Sequence, residues 1–183
     1  MKTKGVKICV YAGASSRVDD VYMEVARNLG SLCGRMGVEV VCGGGNTGLM
    51  TALIEGCVAA GGTVTGIIPQ FMIDRGWHSP YVTHIVVTPG MHPRKEAMLA
   101  GASVAVAMPG GIGTFEELLE AITWRQLGLY HGDVVIVNTA GYYTPLISML
   151  GQAVEKGFMS ETDLGLFRVV DDVNDIFDAH DQR

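Results

Sequence analysis

The sequence predicts an α/β fold, a Rossmann-like, doubly wound parallel sheet with helices on both faces. Short apolar runs without polar alternation, such as residues 6–11 and 102–108, read as strands buried on both sides. These runs alternate with stretches of helical periodicity, the pattern that lays helices over a parallel sheet. Glycine-rich turns stand directly between a strand and a helix near residues 12–17, 43–49 and 109–114. Ligand loops of a doubly wound fold gather at such strand ends, around the topological switch point.

Taken in order, the first strand (6–11) leads through Ala12-Gly-Ala-Ser-Ser16 into a helix over 19–36. A second strand (38–42) runs into Gly43-Gly-Gly-Asn-Thr-Gly-Leu-Met50 and a helix reaching about residue 60. A third strand (63–68) is closed by Pro69, and residues 70–81 read as irregular. A fourth strand (84–88) precedes a short helix expected to start at Pro93, with His92 as its cap. The run 102–108 is the central strand, and a helical pattern covers 118–127. A strand at 134–138, a helix at 144–156, a short strand at 167–170 and a last element at 173–179 complete the chain. No repeat or linker interrupts it, so residues 1–183 are expected to form a single nucleotide-binding domain.

Composition excludes several classes of function. Among 183 residues, 48% are hydrophobic and the formal net charge is −6, which argues against binding nucleic acid through a basic face. No apolar run approaches the roughly 18 residues of a membrane span, and the basic start is followed by too short an apolar run for a signal peptide. A cytoplasmic location is expected. Cys9, Cys33, Cys42 and Cys57 are scattered without a paired motif and read as small buried hydrophobes kept reduced. The five histidines show no helical metal spacing, so no metal is expected.

The chemistry concentrates on Pro109-Gly-Gly-Ile-Gly-Thr-Phe-Glu-Glu117. Glycines at the carboxyl end of a strand, opening a helix, free backbone N–H groups for an anion, and the helix dipole favours negative charge there. The loop reads as a phosphate cradle formed by Gly110, Gly111, Ile112, Gly113 and Thr114, although its spacing matches neither the dinucleotide nor the Walker pattern. Glu117 carries two readings. It closes a Thr114-x-x-Glu117 capping box, or it is a catalytic carboxylate, and the roles can coexist.

The second glycine loop, with Gly44, is either a tight turn or a second wall of the ligand site. Arg94 and Lys95 are expected in a first helical turn, where cations oppose the dipole unless an anion is near. They are a solvated pair, or they aim at a phosphate, a ribose or a carboxylate. Ser15 either begins a helix or offers the ligand a hydroxyl after the first strand, and Met91 is either plain core or suits the face of a purine ring. Trp124, Leu127, Leu129 and Tyr130 give the long helix more apolar surface than one packing face needs.

Three of these stretches together carry a family resemblance. Gly43-Gly-Gly-Asn-Thr-Gly-Leu-Met50, Met91-His-Pro-Arg-Lys95 and Pro109-Gly-Gly-Ile-Gly-Thr-Phe-Glu-Glu117 resemble the signatures of the LONELY GUY (LOG) family. These are cytokinin riboside 5′-monophosphate phosphoribohydrolases, often mislabelled as lysine decarboxylases. The likeness spans roughly residues 6–150 and extends into Leu118-Leu-Glu-Ala-Ile-Thr-Trp-Arg-Gln-Leu-Gly128.

The resemblance implies hydrolysis of the N-glycosidic bond of a nucleoside 5′-monophosphate, AMP or an N6-modified AMP. Arg94 and Glu117 then match catalytic positions, Lys95 and residues 110–114 match nucleotide-binding ones, and a homodimer without a cofactor is expected. The chain departs from the family at Asp74-Arg-Gly-Trp-His78, where a carboxylate is common, and at Ile112, where an aromatic residue is common. Trp77 accordingly either packs on the base or anchors the segment to the core. The alternative is a non-catalytic nucleotide or molybdenum-cofactor carrier on the same fold. A plain NAD-binding domain is disfavoured because Gly-x-Gly-x-x-Gly is absent after the first strand.

Overall fold

A computed structural model describes residues 5–177; the basic start at 1–4 and the end of the last expected element, 178–179, lie outside it. Seven strands, β1 (Lys7–Tyr11), β2 (Glu39–Cys42), β3 (Val64–Pro69), β4 (His84–Thr88), β5 (Val104–Ala107), β6 (Asp133–Val137) and β7 (Arg168–Val170), form one sheet. Its order is β4-β3-β2-β1-β5-β6-β7, and every neighbouring pair is parallel. Helices α1 (Asp20–Met36), α2 (Gly48–Ala59), α3 (Gln70–Asp74), α4 (Met91–Leu99), α5 (Ile112–Gln126) and α6 (Thr144–Glu155) connect them. This is the doubly wound Rossmann-like architecture that the alternation of elements predicts.

Strand alternation divides the core into two layers. Ile8 and Val10 of β1 pack with Ala26, Leu29 and Cys33 of α1 and with Leu49 and Leu53 of α2. Cys9 and Tyr11 face the other way, toward Met98 of α4 and Leu118, Ala121 and Ile122 of α5. In α1 the buried residues 26, 29, 30 and 33 recur at helical spacing, so one stripe is removed from water. All four cysteines are buried and free. Burial pushes the Cys42 and Cys57 thiols up to about 11.

The chain winds outward from β1 through β2 and β3 to β4, then returns across the sheet so that β5 lies on the other side of β1. The loops after β1 and β5 therefore diverge, which opens a crevice at the carboxyl ends of those two strands.

Three local expectations are corrected. The segment 70–81 is not wholly irregular, because α3 occupies its first five residues. Helix α4 starts at Met91 with Gly90 as N-cap, so neither His92 nor Pro93 opens it. Pro93 is still tolerated, since N–H groups of a first turn have no intrahelical acceptor. Arg94 and Lys95 consequently lie in the second turn, and the Arg94 N–H already donates to the Gly90 carbonyl at 3.2 Å. Helix α5 starts at Ile112, six residues before the apolar pattern, with Gly111 as N-cap and no side-chain cap. Thr114 thus sits inside the first turn, and the capping box does not form.

Candidate active site

The crevice is a cleft of about 570 Å³. All three strand-end loops reach it, through Gly13 to Ser15, through Gly43, and through Pro109 to Gly111 with Gly113 and Thr114. Because β5 ends at Ala107 and α5 begins at Ile112, the intervening residues are short and mostly glycine. The N–H groups of residues 110–114 take no protein acceptor among the described residues; the first α5 bond runs from the Phe115 N–H to the Gly111 carbonyl at 3.0 Å. Five free donors at a helix N-terminus suit an anion.

On the opposite layer α4 and α5 bring Arg94 and Glu117 together. Arg94 Nη1 donates to Glu117 Oε1 at 3.0 Å, and both side chains are nearly buried, 8% and 11% exposed. Arg94 Nε donates to the Ile67 carbonyl near the end of β3 at 3.1 Å. Gly43 makes room for the guanidinium, because a β-carbon there would stand 2.2 Å from Arg94 Nη2. Burial raises the Glu117 carboxyl above its ordinary value, while Arg94 opposes the shift. The result is a largely desolvated carboxylate lining a nucleotide-sized cleft beside a fixed cation.

Lys95 points elsewhere. Its ammonium pairs with Glu116 and with Glu120 Oε2, the latter at 2.9 Å, so α4 is strapped to α5 next to the Arg94–Glu117 pair. Burial alone would depress the ammonium, but the two carboxylates outweigh it and hold it above its ordinary value. A lysine so held stays protonated and is poorly suited to forming an imine.

The cleft brings together Ser15, Met91, Arg94, Gly110, Gly111, Gly113, Thr114 and Glu117 from the residues that sequence reasoning singled out. It does not bring in Lys95, Gly44 or Ile112. Gly44 turns toward the 76–79 segment, its carbonyl accepting the Ser79 N–H at 2.7 Å. Ile112 is 86% exposed on the outer side of the first α5 turn. Trp77 is also outside: it lies under the Arg75 guanidinium at 4.8 Å, and its carbonyl accepts the Asn46 N–H at 3.1 Å. Met72 of α3 lines the cleft instead, with Met50, Met91 and Met98.

Residues missed from the sequence include Tyr22, Glu116 and Tyr142. For Tyr142 a signal existed: Gly141-Tyr-Tyr143 follows a strand whose carboxyl end lies on the same rim as the glycine loop.

A family model described as possible lysine decarboxylase matches residues 50–180. Cytokinin riboside 5′-monophosphate phosphoribohydrolase LOG3 of Arabidopsis thaliana is 38% identical over 161 residues, covering 88% of this chain and 75% of that protein. The corresponding LOG enzyme of Oryza sativa subsp. japonica is 40% identical over 156 residues, 85% of this chain and 64% of its own length. Among solved structures, the molybdenum cofactor carrier protein of Chlamydomonas reinhardtii shares the fold. It is 24% identical with a TM-score of 0.71, covering 92% of this chain and 91% of that one.

Proposed function

The chain belongs to the LONELY GUY family of phosphoribohydrolases, and from that premise we propose how its cleft cleaves a nucleoside 5′-monophosphate. It is a hydrolase of N-glycosyl compounds that releases free base and ribose 5-phosphate. The substrate is AMP or an N6-modified AMP. The observation that carries the mechanism is the buried Arg94–Glu117 pair in the same cleft as the glycine loop, whose Gly110, Gly111, Gly113 and Thr114 carry free N–H groups.

The 5′-phosphate docks on those N–H groups and fixes the ribose, so that remote binding becomes orientation at C1′. The C1′–N9 bond breaks with its electron pair leaving on the base, which takes up a proton. Positive charge grows on the ribose ring, as in other glycoside hydrolyses. Glu117 stabilises that charge and orients the water, whose oxygen ends on C1′ as its proton is removed. Arg94, whose guanidinium carries only donors, holds Glu117 through the ion pair and offers hydrogen bonds to the ribose or base. Met50, Met72, Met91 and Met98 offer polarizable apolar surface to the base. Ser15 contacts the substrate from the cleft wall, while Gly44 takes no part in substrate binding and instead accepts the Ser79 N–H beside the Gly43 turn. Lys95 acts through Glu116 and Glu120 of α5.

The whole chain is read as one nucleotide-binding unit working in the cytoplasm as a homodimer. None of the helices among the described residues is long and apolar enough to cross a membrane. Leu127 and Leu129, 65% and 68% exposed just beyond α5, support a second copy as the partner.

Incubation of purified protein with AMP and with N6-isopentenyl-AMP, followed by chromatographic separation of the bases, tests the reading. Free base and ribose 5-phosphate in equal amounts are expected, and the ratio of the two rates identifies the preferred base. Tight binding of both nucleotides without base release would favour the carrier alternative.

A further inference from the structure

The turn after β6 is the one place among the described residues where a residue other than glycine has a positive φ. Ala140 sits at φ 52, inside a 3-10 turn over Thr139–Gly141. A left-handed alanine is disfavoured sterically and persists only when its surroundings over-determine it. The turn is tied by Gly141 N–H to the Asn138 carbonyl and by Tyr143 N–H to Asn138 Oδ1, and it delivers two consecutive tyrosines to the glycine loop. Tyr143 OH donates to the Met108 carbonyl at 2.8 Å, and Tyr142 OH donates to the Gly110 carbonyl at 2.5 Å. The carbonyl between them, on Pro109, accepts the Gly13 N–H at 3.0 Å. Three successive carbonyls of the loop from β5 to α5 are thereby occupied.

The consequence lies in the peptide plane. Among the described residues all peptides are trans, so C=O and N–H of one unit point in opposite directions. A hydroxyl that holds the Gly110 carbonyl turns the Gly111 N–H the other way. That peptide joins two glycines, which resist rotation least of all residues. Rotated by half a turn, it would offer a carbonyl oxygen where the loop needs a donor. The Tyr142 ring is held in its own right, stacked on Phe115 at 6.3 Å and edge-on to Tyr22 at 5.9 Å and Tyr143 at 5.2 Å.

We propose that Tyr142 is a positioning residue for the phosphate loop, its hydroxyl setting the Gly110–Gly111 peptide so that the loop presents N–H groups to the substrate's phosphate. This rests on the reading of a nucleoside 5′-monophosphate as substrate.

The test is Tyr142→Phe, which keeps the ring cluster and removes only the donor. Affinities for ribose 5-phosphate and for adenosine are measured by calorimetry, which needs no turnover. Loss of one net hydrogen bond's ordering effect predicts about fivefold to tenfold weaker binding of ribose 5-phosphate. Adenosine affinity and melting temperature should stay unchanged, and KM for AMP should rise with kcat nearly constant. Unchanged ribose 5-phosphate affinity in the variant, an equal loss for adenosine, or no binding of ribose 5-phosphate by the wild type would each overturn the assignment. The hydrolase reading fails separately, by absence of base release from the wild-type protein.

Discussion

Gly43 and Arg94 are in contact at the floor of the cleft: a β-carbon on Gly43 would stand 2.2 Å from Arg94 Nη2. The glycine after β2 is thus a steric requirement of a guanidinium arriving from α4. Gly43→Ala should push Arg94 off Glu117 and lower kcat/KM by about tenfold or more, because small misplacements of a fixed charge are costly. Overpacking should also cost about 1–3 kcal/mol of stability. Steady-state kinetics together with thermal melting would check both effects, and unaltered kinetics would mean that Arg94 has room to move.

Glu117→Gln removes the charge and preserves the shape. AMP binding should persist while turnover falls on the order of a hundredfold or more. Burial raises the Glu117 carboxyl above its ordinary 4.5 despite Arg94. The ionised form is the active one, so activity is retained above the raised value and lost as pH falls through it. The acid limb of kcat/KM in the wild type should therefore lie above 4.5, and the residual activity of Glu117→Gln should lack that limb. A limb that survives the substitution would belong to another group.

Trp77 carries a different expectation from the one its sequence position suggests. With its ring against Arg75 and outside the cleft, Trp77→Ala should leave KM for AMP within about twofold. An exposed cation–π contact is worth about 0.5–1 kcal/mol, so Tm should drop by a few degrees at most. Met72→Ala, on the cleft wall, should instead raise KM. Opposite results for the two variants would return Trp77 to the base site.

The assembly is testable through the end of α5. Sedimentation at micromolar concentration should give a dimer for the wild type. Replacing both exposed leucines, Leu127→Asp and Leu129→Asp, should give a monomer that remains folded by circular dichroism. A wild-type monomer would remove the second copy from the account.

The layers, the strand-end loops and the glycine cradle are legible from residue order, because they depend on local spacing: apolar runs, helical periodicity and turn residues within a few positions. The sequence also carried the family, through three motifs in order. It misjudged where α4 and α5 begin, since Gly90 and Gly111 cap them without a side-chain signal.

Tertiary structure alone decided the partners. Arg94 and Glu117 are 23 positions apart, and only the packing of α4 against α5 selects Glu117 for Arg94 while sending its neighbour Lys95 to Glu116 and Glu120. Tyr142 meets Gly110 across 32 positions because β6 lies beside β5. A side chain's direction follows from which face its element buries. That face is chosen by the sheet it packs on, and the sheet exists only when the whole chain has folded.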